Sequence, residues 1–184
     1  RSPYIINPNV LKSPQSAILV SHTPEKSFVF MLLQNAKYLD GWVKSPDKGF
    51  YSLDYDYWKG GKDRVRRSFN PDFFIVQKLS TYISLVRSTA DAFSMAKLKA
   101  LEEEGVEELV WVVEIKSDED QDDTISPKAE AGKAHFEALN NKLKDINPVN
   151  VPVEVRKHLK QRYFFELLRP HQFAHWFKGL QEGK

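Results

Sequence analysis

The feature that most constrains the fold is the segment ELVWVVEIKS, from Glu108 to Ser117. Its apolar residues stand at consecutive rather than alternating positions, which predicts a strand buried on both faces. Because such a strand lies inside a sheet with helices packed on both sides, the segment indicates an α/β fold. The apolar run ends in Glu114 and Lys116. Residues i and i+2 of a strand share a face, so these two charges are expected on one side of the central strand.

The segments around this strand predict an order of helix, strand, strand, inserted helix, strand, helix, strand. The first helix begins at Thr23 as the N-cap with Pro24 in its first turn, and ends near Gly41. Ser126 and Pro127 repeat that start for the helix after the central strand. The other predicted elements are strands over 49–58 and 66–77 joined as a hairpin through the Gly60–Gly61 turn, a helix over 85–105, a strand over 162–170 and a short closing helix over 171–180.

Composition limits the class of protein. With 184 residues the chain is long enough for one domain with a real core. It has no cysteine, which excludes a disulfide framework and a thiolate zinc site and favours an intracellular, cytoplasmic protein. No apolar run is long enough to span a membrane, so no membrane partner is expected. The chain begins at Arg1 rather than Met, and we expect a piece of a longer protein.

A second strand candidate carries a lone acid in the stretch FNPDFFIV. Pro71 cannot donate to a ladder, so it is expected to distort or end strand pairing just before Asp72. If this strand neighbours the central one, Asp72, Glu114 and Lys116 converge. Two buried carboxylates need a positive charge between them. Mg²⁺ prefers one or two carboxylates, with water and substrate phosphate as its other ligands, and is the natural candidate.

These residues resemble a known superfamily. NPD at Asn70–Asp72 followed by EIK at Glu114–Lys116 resembles the PD-(D/E)XK nucleases, most closely the C-terminal endonuclease domain of type III restriction enzyme subunits and related helicase–nucleases. The TPE helix start, the WVKS segment and the helix KAEAGKAHFEALN extend the similarity over about 23–168. The resemblance implies a single restriction-endonuclease-like domain over 1–184. Its αβββαβ core would have a mixed four-stranded sheet flanked by helices, with a helical insertion between the second and third strands.

The resemblance also implies an activity. The implied activity is that of a Mg²⁺-dependent endodeoxyribonuclease that also accepts Mn²⁺ and acts in a restriction or helicase–nuclease defence system. Asp72, Glu114 and the Ile115 carbonyl would hold the metal, and Lys116 would assist the attacking water. The implied partners are DNA, a helicase or translocase segment of the parent chain, a methyltransferase subunit, and a second copy of the domain for cutting both strands. The alternative is a catalytically silent nucleic-acid-binding or assembly domain on the same fold.

Two further residues are candidates for the same site. Glu25 lies in the first turn of the first helix, where the resemblance implies a metal-linked acid, and where a carboxylate also complements the helix N-terminus. Lys128 opens the helix after the central strand, and the resemblance implies that a basic residue there reaches the site. A lysine in a first turn is otherwise unfavourable for the helix dipole.

Charged runs outside this set have two interpretations. Arg64, Arg66 and Arg67 suit phosphate contact, or a solvated hairpin tip. The acidic run Ser117–Asp123 departs from the superfamily pattern and would repel DNA near the cleft. His171 and His175 have the spacing of helical zinc ligands, but no third ligand accompanies them, so ordinary surface histidines are favoured.

Overall fold

The computed structural model describes residues 2–5, 12–20, 22–46, 49–86, 92–120 and 122–182. Within them no helix is both long and apolar enough to cross a membrane. The strands are β1 (Ser2–Ile5), β2 (Ala17–Val20), β3 (Gly41–Lys44), β4 (Leu53–Lys59), β5 (Asp63–Phe69), β6 (Phe73–Lys78), β7 (Glu108–Ile115) and β8 (Gln161–Leu168). The helices are α1 (Thr23–Gln34), α2 (Leu79–Val86), α3 (Ala92–Glu103), α4 (Ile125–Asp145) and α5 (Pro170–Glu182), with 3₁₀ turns at Ala36–Tyr38, Pro148–Asn150 and Val153–Lys160.

The fold is α/β, with a mixed four-stranded sheet in the order β3, β6, β7, β8. The first three of these strands are antiparallel, and β8 runs parallel to β7. Phe73 pairs with Val113 between β6 and β7, and Ile115 pairs with Leu168 between β7 and β8. The predicted position of ELVWVVEI at the centre of a mixed sheet is therefore confirmed, as is a helical insertion between β6 and β7.

The sheet is covered on both faces, as the apolar run predicts. Val113 and Ile115 of β7 belong to a core with α1, α5 and β3, in which Phe28, Phe73 and Phe177 are fully buried. Val110 and Val112 face the other way, into a core formed with α4, β8 and the β4–β5 hairpin. Glu114 shares this second face because it follows Val112 by two positions.

The hairpin assignment is wrong in its extent and in its sheet. The predicted strand over 66–77 is broken at Asn70–Asp72, so β5 pairs only with β4 in a separate two-stranded ribbon. Pro71 is the physical cause, since it has no N–H for a ladder. The first strand of the main sheet is instead Gly41–Lys44, which pairs with β6 in the region where the predicted first helix was to end.

The helix boundaries also differ from the expectation. The N-cap of α1 is His22, so Thr23 is already helical, and α1 stops at Gln34 rather than near Gly41. The helix α4 starts at Ile125 with Thr124 as its N-cap, ahead of the predicted Ser126. The inserted helix is two helices, α2 and α3, on either side of 87–91, which lie outside the described residues. Its start moves back to Leu79 because Leu79, Ile83 and Val86 bury one stripe against Leu109.

An amide side chain covers the outer backbone of each outer strand of the sheet. On β3, the Gln15 amide donates to the Lys44 carbonyl at 2.9 Å and accepts from the Lys44 N–H at 2.7 Å. On β8, the Asn140 amide makes the same two bonds with the backbone of Tyr163, both at 2.8 Å. These pairs satisfy backbone groups that have no neighbouring strand.

Candidate active site at the end of the central strand

The site forms where β6 begins and β7 ends. Because Phe73 pairs with Val113, Asp72 stands opposite Glu114 on the neighbouring strand. The Asp72 carboxylate oxygen Oδ2 accepts a hydrogen bond from the backbone N–H of Ile115 at 2.7 Å. The N–H and C=O of one strand residue point towards the same neighbour, so the Ile115 carbonyl lies on the Asp72 side of β7. Asp72, Glu114 and Ile115, three residues predicted for one site, thus lie together.

Asp72 is held in an environment that disfavours its charge. Burial raises the pKa of Asp72 to about 8, and the negative charges of Glu114 and Glu25 act in the same direction. The Ile115 hydrogen bond and the Lys44 ammonium oppose this shift in the pKa but do not cancel it. At neutral pH the carboxyl therefore keeps its proton, unless a cation arrives to replace it.

Glu114 is buried and only half satisfied. Its Oε1 atom lies 2.7 Å from the Lys128 Nζ and 3.6 Å from the Lys116 Nζ. Its Oε2 atom is buried and has no hydrogen-bond partner among the described residues. A buried carboxylate oxygen without a partner is costly, and in native proteins it commonly marks a place for an ion or a water molecule.

The two lysines differ in their access to solvent. The Lys128 side chain is 8% exposed, whereas the Lys116 side chain is 23% exposed. Burial lowers the pKa of Lys128, and the attraction of Glu114 opposes this only in part. Burial also acts to lower the pKa of Lys116, but Glu114 and the other neighbours outweigh it, so that pKa lies above its usual value. Lys116 is therefore the charged, accessible ammonium, and Lys128 is an inner partner of Glu114.

A second acid–base pair completes the cluster. Glu25, in the first turn of α1, is buried and its Oε2 lies 3.5 Å from the Nζ of Lys44, which is also buried. His22 Nε2 lies 3.8 Å from the other Glu25 oxygen. Both Glu25 and Lys44 act on the pKa of Asp72. The candidate third acid is thus near Asp72, but it is paired with a lysine that sequence reasoning left without a role.

The donor set fits a hard divalent cation. Among the described residues no group of three or more His, Asp or Glu side chains could hold a metal by side chains alone. Mg²⁺ does not require this, since it commonly uses one or two carboxylates and completes its shell with carbonyl oxygen, water and phosphate. The partnerless oxygen of Glu114 and the raised pKa of Asp72 are both relieved by one positive charge placed between them.

A cavity of about 540 Å³ opens beside Lys116, between the start of α1 and the acidic run. Asp118, Glu119 and Asp120 line it. Arg169 fixes this run, because its guanidinium donates to the carbonyls of Ser117 at 3.2 Å, Asp118 at 2.8 Å and Asp120 at 2.6 Å. The acidic run therefore does lie beside the candidate cleft.

The side chains of His171 and His175 have different surroundings from a zinc site. The His171 side chain is exposed, and its Nδ1 contacts the Asp118 carboxylate, which ties α5 to the acidic run. His175 lines a separate cavity of about 550 Å³ with Trp111 and Glu166. No metal-binding group of three such side chains includes them among the described residues.

The three candidate arginines do not form one free basic patch. Arg64 pairs with Asp56 at 2.6 Å and Arg66 pairs with Asp54 at 2.7 Å, both across the β4–β5 ribbon. Arg67 instead lies over the Tyr57 ring, 5.4 Å from its centroid. Two of the three charges are therefore already matched by carboxylates on the same hairpin.

Two contributors to the site were missed from the sequence. Lys44 ends the short run GWVK, which is too short and not alternating enough to indicate a strand from the sequence. In the structure this run is β3, and its pairing with β6 places Lys44 opposite Phe73, next to Asp72. Arg169 follows β8 directly and had no local signal, since its partners are backbone carbonyls about fifty residues away along the chain.

Comparison of the chain with protein-family models, with curated proteins and with solved structures gives no match. The chemistry of the site therefore has to be argued from its own residues.

Proposed function

We propose that this domain is a metal-dependent endonuclease that hydrolyses DNA phosphodiester bonds, as part of a restriction or helicase–nuclease system. One observation carries the proposal: Asp72 bonds the N–H of Ile115, between Glu114 and Lys116, while a Glu114 oxygen beside it is buried without a partner. Two acids can hold a divalent ion, and a nearby ammonium can stabilise charge on a phosphate, so this set of groups is suited to metal-assisted phosphodiester hydrolysis.

Each residue has a distinct task in this proposal. Asp72, Glu114 and the Ile115 carbonyl would hold Mg²⁺ or Mn²⁺. When bound, the ion lowers the pKa of a water molecule and offsets charge on the scissile phosphate. Lys116, the more accessible of the two ammonium groups, orients the water for in-line attack or stabilises charge that develops on phosphate oxygens.

Lys128 and Glu25 act through other groups. Lys128 holds Oε1 of Glu114 at 2.7 Å, which leaves Oε2 for the cation, so Lys128 is a positioning residue. Glu25 and Lys44 set the local charge around Asp72, and Glu25 supports the electrostatics of the site rather than contacting the substrate.

The test is nicking of supercoiled plasmid DNA with Mg²⁺ or Mn²⁺. The wild-type domain is compared with Glu114→Ala and with Glu103→Ala, which removes an exposed carboxylate on α3. We expect wild type and Glu103→Ala to nick equally, and Glu114→Ala to lose at least a hundredfold in rate, a typical loss when electrostatic stabilisation is removed. Equal product from wild type and Glu114→Ala, or no metal-dependent product, removes the enzymatic proposal.

The alternative is a catalytically silent nucleic-acid-binding or assembly domain on the same fold. The acidic run beside Lys116 favours its assembly form, because these carboxylates repel phosphate. Calorimetric titration with Mn²⁺ separates the two. An enzyme binds the ion in wild type and loses binding in Asp72→Asn, whereas a silent domain binds no ion that depends on Asp72.

A further inference from the structure

Some charged side chains of the β4–β5 hairpin form ion pairs with each other, and others do not. Along its outward face, Asp54 and Asp56 of β4 are taken up by Arg66 and Arg64 of β5. Cross-strand pairs of this kind stabilise a ribbon modestly, and they neutralise its middle. Further interaction with a charged ligand must therefore come from the cations that have no carboxylate partner among the described residues, which are Arg67 of β5 and Lys59 and Lys62 at the turn.

The tip of the hairpin, defined as Trp58–Lys62, carries two lysines and an exposed tryptophan that have no partner of this kind among the described residues. Trp58 is 61% exposed and makes no ring contact with any described residue. The side chains of Lys59 and Lys62 are exposed, and within the described residues neither forms an ion pair. Gly60 and Gly61 have φ of 56° and 72°, which allow the tight turn between the lysines. The tip thus presents one indole and two ammonium groups to solvent.

The open end of the hairpin, opposite its tip, lies at the candidate active site. Phe69, the last residue of β5, lies under Lys128, whose Nζ is 4.6 Å from the ring centroid and bonds Glu114. Further along β5, Arg67 lies near Asp122. Hydrogen bonds from Thr124 are the main cause that lowers the pKa of Asp122, and the charges of Lys116 and Arg67 add to this lowering. The ribbon therefore runs from the site past the loop that follows Lys116.

Charge around the site is asymmetric. Asp118, Glu119 and Asp120 line the cavity on the α1 side of Lys116. A phosphate chain is repelled from that side, whereas Lys59 and Lys62, which form no ion pair within the described residues, lie at the tip of the hairpin. A polyanion held at Lys116 would therefore leave the site along the hairpin towards its tip.

We propose that the hairpin tip is a binding site for single-stranded DNA, in which Trp58 stacks on an unpaired base and Lys59 and Lys62 contact phosphates. This inference rests on the proposed function and names its substrate class, DNA with unpaired bases a few nucleotides away from the scissile phosphate. Five positions of β4, roughly 17 Å of strand, separate Trp58 from Leu53, which pairs with Phe69 at the site. An exposed indole stacks on any base, whereas the bases of an intact duplex already stack on each other. Lysines beside the indole add the electrostatic part of the affinity.

The test measures binding of a labelled fifteen-nucleotide oligodeoxythymidine by fluorescence anisotropy in EDTA, so that cleavage plays no part. Trp58→Ala is expected to weaken binding about tenfold, and Trp58→Phe to retain most of the affinity, because base stacking survives in Phe. The double variant Lys59→Gln/Lys62→Gln should lower the salt slope of the affinity by about 1.4, for two lost phosphate contacts. The control with equal charge change, Lys99→Gln/Lys178→Gln, should keep the wild-type slope, since both lysines are exposed on helices α3 and α5 and not on the hairpin.

Three results would overturn the tip site: Trp58→Ala binding like wild type, an intact duplex of the same length binding more tightly than the single strand, or the control variant losing as much as the tip variant. The result also separates the two proposals. A chain that binds the oligonucleotide through Trp58 but nicks no DNA refutes the nuclease and keeps the tip. If the wild-type chain nicks DNA but Trp58→Ala binds the oligonucleotide as tightly as wild type, the tip site is refuted and the nuclease proposal is kept.

Discussion

The Asp72 carboxylate occupies the place of a backbone partner for Ile115. Pairing between β6 and β7 reaches only as far as Phe73, the first residue of β6. The next N–H of β7 on that side belongs to Ile115, and it donates to the Asp72 side chain at 2.7 Å. Because Pro71 has no N–H to continue the backbone pairing, the Asp72 side chain makes this bond instead, which places it at the start of β6 and close to Glu114. The same bond that extends the sheet thus fixes the geometry of the candidate site.

The raised pKa of Asp72 predicts how stability depends on pH in the absence of metal. In the folded protein this pKa is about 8, well above the ordinary carboxyl value of 3.8 that the unfolded chain has. The folded state therefore binds more protons between these limits, and its unfolding free energy falls as pH rises from about 4 to about 8. Asp72→Asn keeps an acceptor for Ile115 but removes the charge, so it is expected to be more stable than wild type at about pH 9 by roughly 1–3 kcal/mol.

Urea unfolding in EDTA at about pH 5 and about pH 9 checks this. Glu103→Gln is the control, because its carboxylate is exposed on α3 and should leave the wild-type pH dependence intact. If Asp72→Asn and wild type lose the same stability between the two pH values, Asp72 does not carry the raised pKa.

The same group predicts a pH-dependent affinity for a divalent ion. A cation between Asp72 and Glu114 must displace the Asp72 proton, so Mn²⁺ affinity should rise about tenfold per pH unit up to about pH 8 and then level off. Calorimetry in two buffers of different ionisation enthalpy should count about one proton released per ion at neutral pH. An affinity that is constant between about pH 6 and about pH 8 would speak against Asp72 as a ligand.

Arg169 is predicted to hold the segment after Lys116 in place. Its guanidinium donates to three carbonyls of that segment, and Arg169→Gln removes most of these bonds. Amide hydrogen exchange of residues 117–120 should become at least tenfold faster, since each lost bond to a charged donor is worth about 1.5–3 kcal/mol locally. Exchange in β7 should be unchanged, which serves as the internal reference. Unaltered exchange at 117–120 would show that the loop is ordered without Arg169.

Gly132 is predicted to be required for the packing of α4 on β8. A Cβ at this position would lie 2.6–2.7 Å from ring atoms of Phe165. Gly132→Ala should therefore destabilise the domain by about 1–3 kcal/mol from overpacking, less about 1 kcal/mol gained in helix propensity. In a Phe165→Leu background the same change should cost less, and urea unfolding of the four proteins measures the difference. Equal costs in both backgrounds would locate the strain elsewhere.

The central part of this fold was predictable because its signals are local. Consecutive apolar residues before Glu114 indicate a strand buried on both faces, and Pro71 indicates the break beside Asp72. The β4–β5 ribbon was not assigned correctly, because the alternation of Tyr55 and Tyr57 with aspartates fits a strand of any half-buried sheet. Its true partner surface, α4, is set by tertiary packing.

The acids of the site were predictable and their partners were not. Glu114 and Lys116 share a face by the two-residue period of a strand. The pairing of Glu25 with Lys44 depends on how α1 crosses the sheet, and the contacts of Arg169 depend on the path of a loop. Neither relation has a sequence spacing that a periodic pattern could reveal.

The two amides of Gln15 and Asn140 have a consequence for self-association. Each occupies both the donor and the acceptor of one residue on a terminal strand of the sheet. A second molecule cannot extend the sheet at Lys44 or at Tyr163 without first displacing the side-chain amide that is bonded there. If two copies meet to cut opposite strands of a duplex, as proposed, a continuous intermolecular sheet through Lys44 or Tyr163 is not the expected form of their contact.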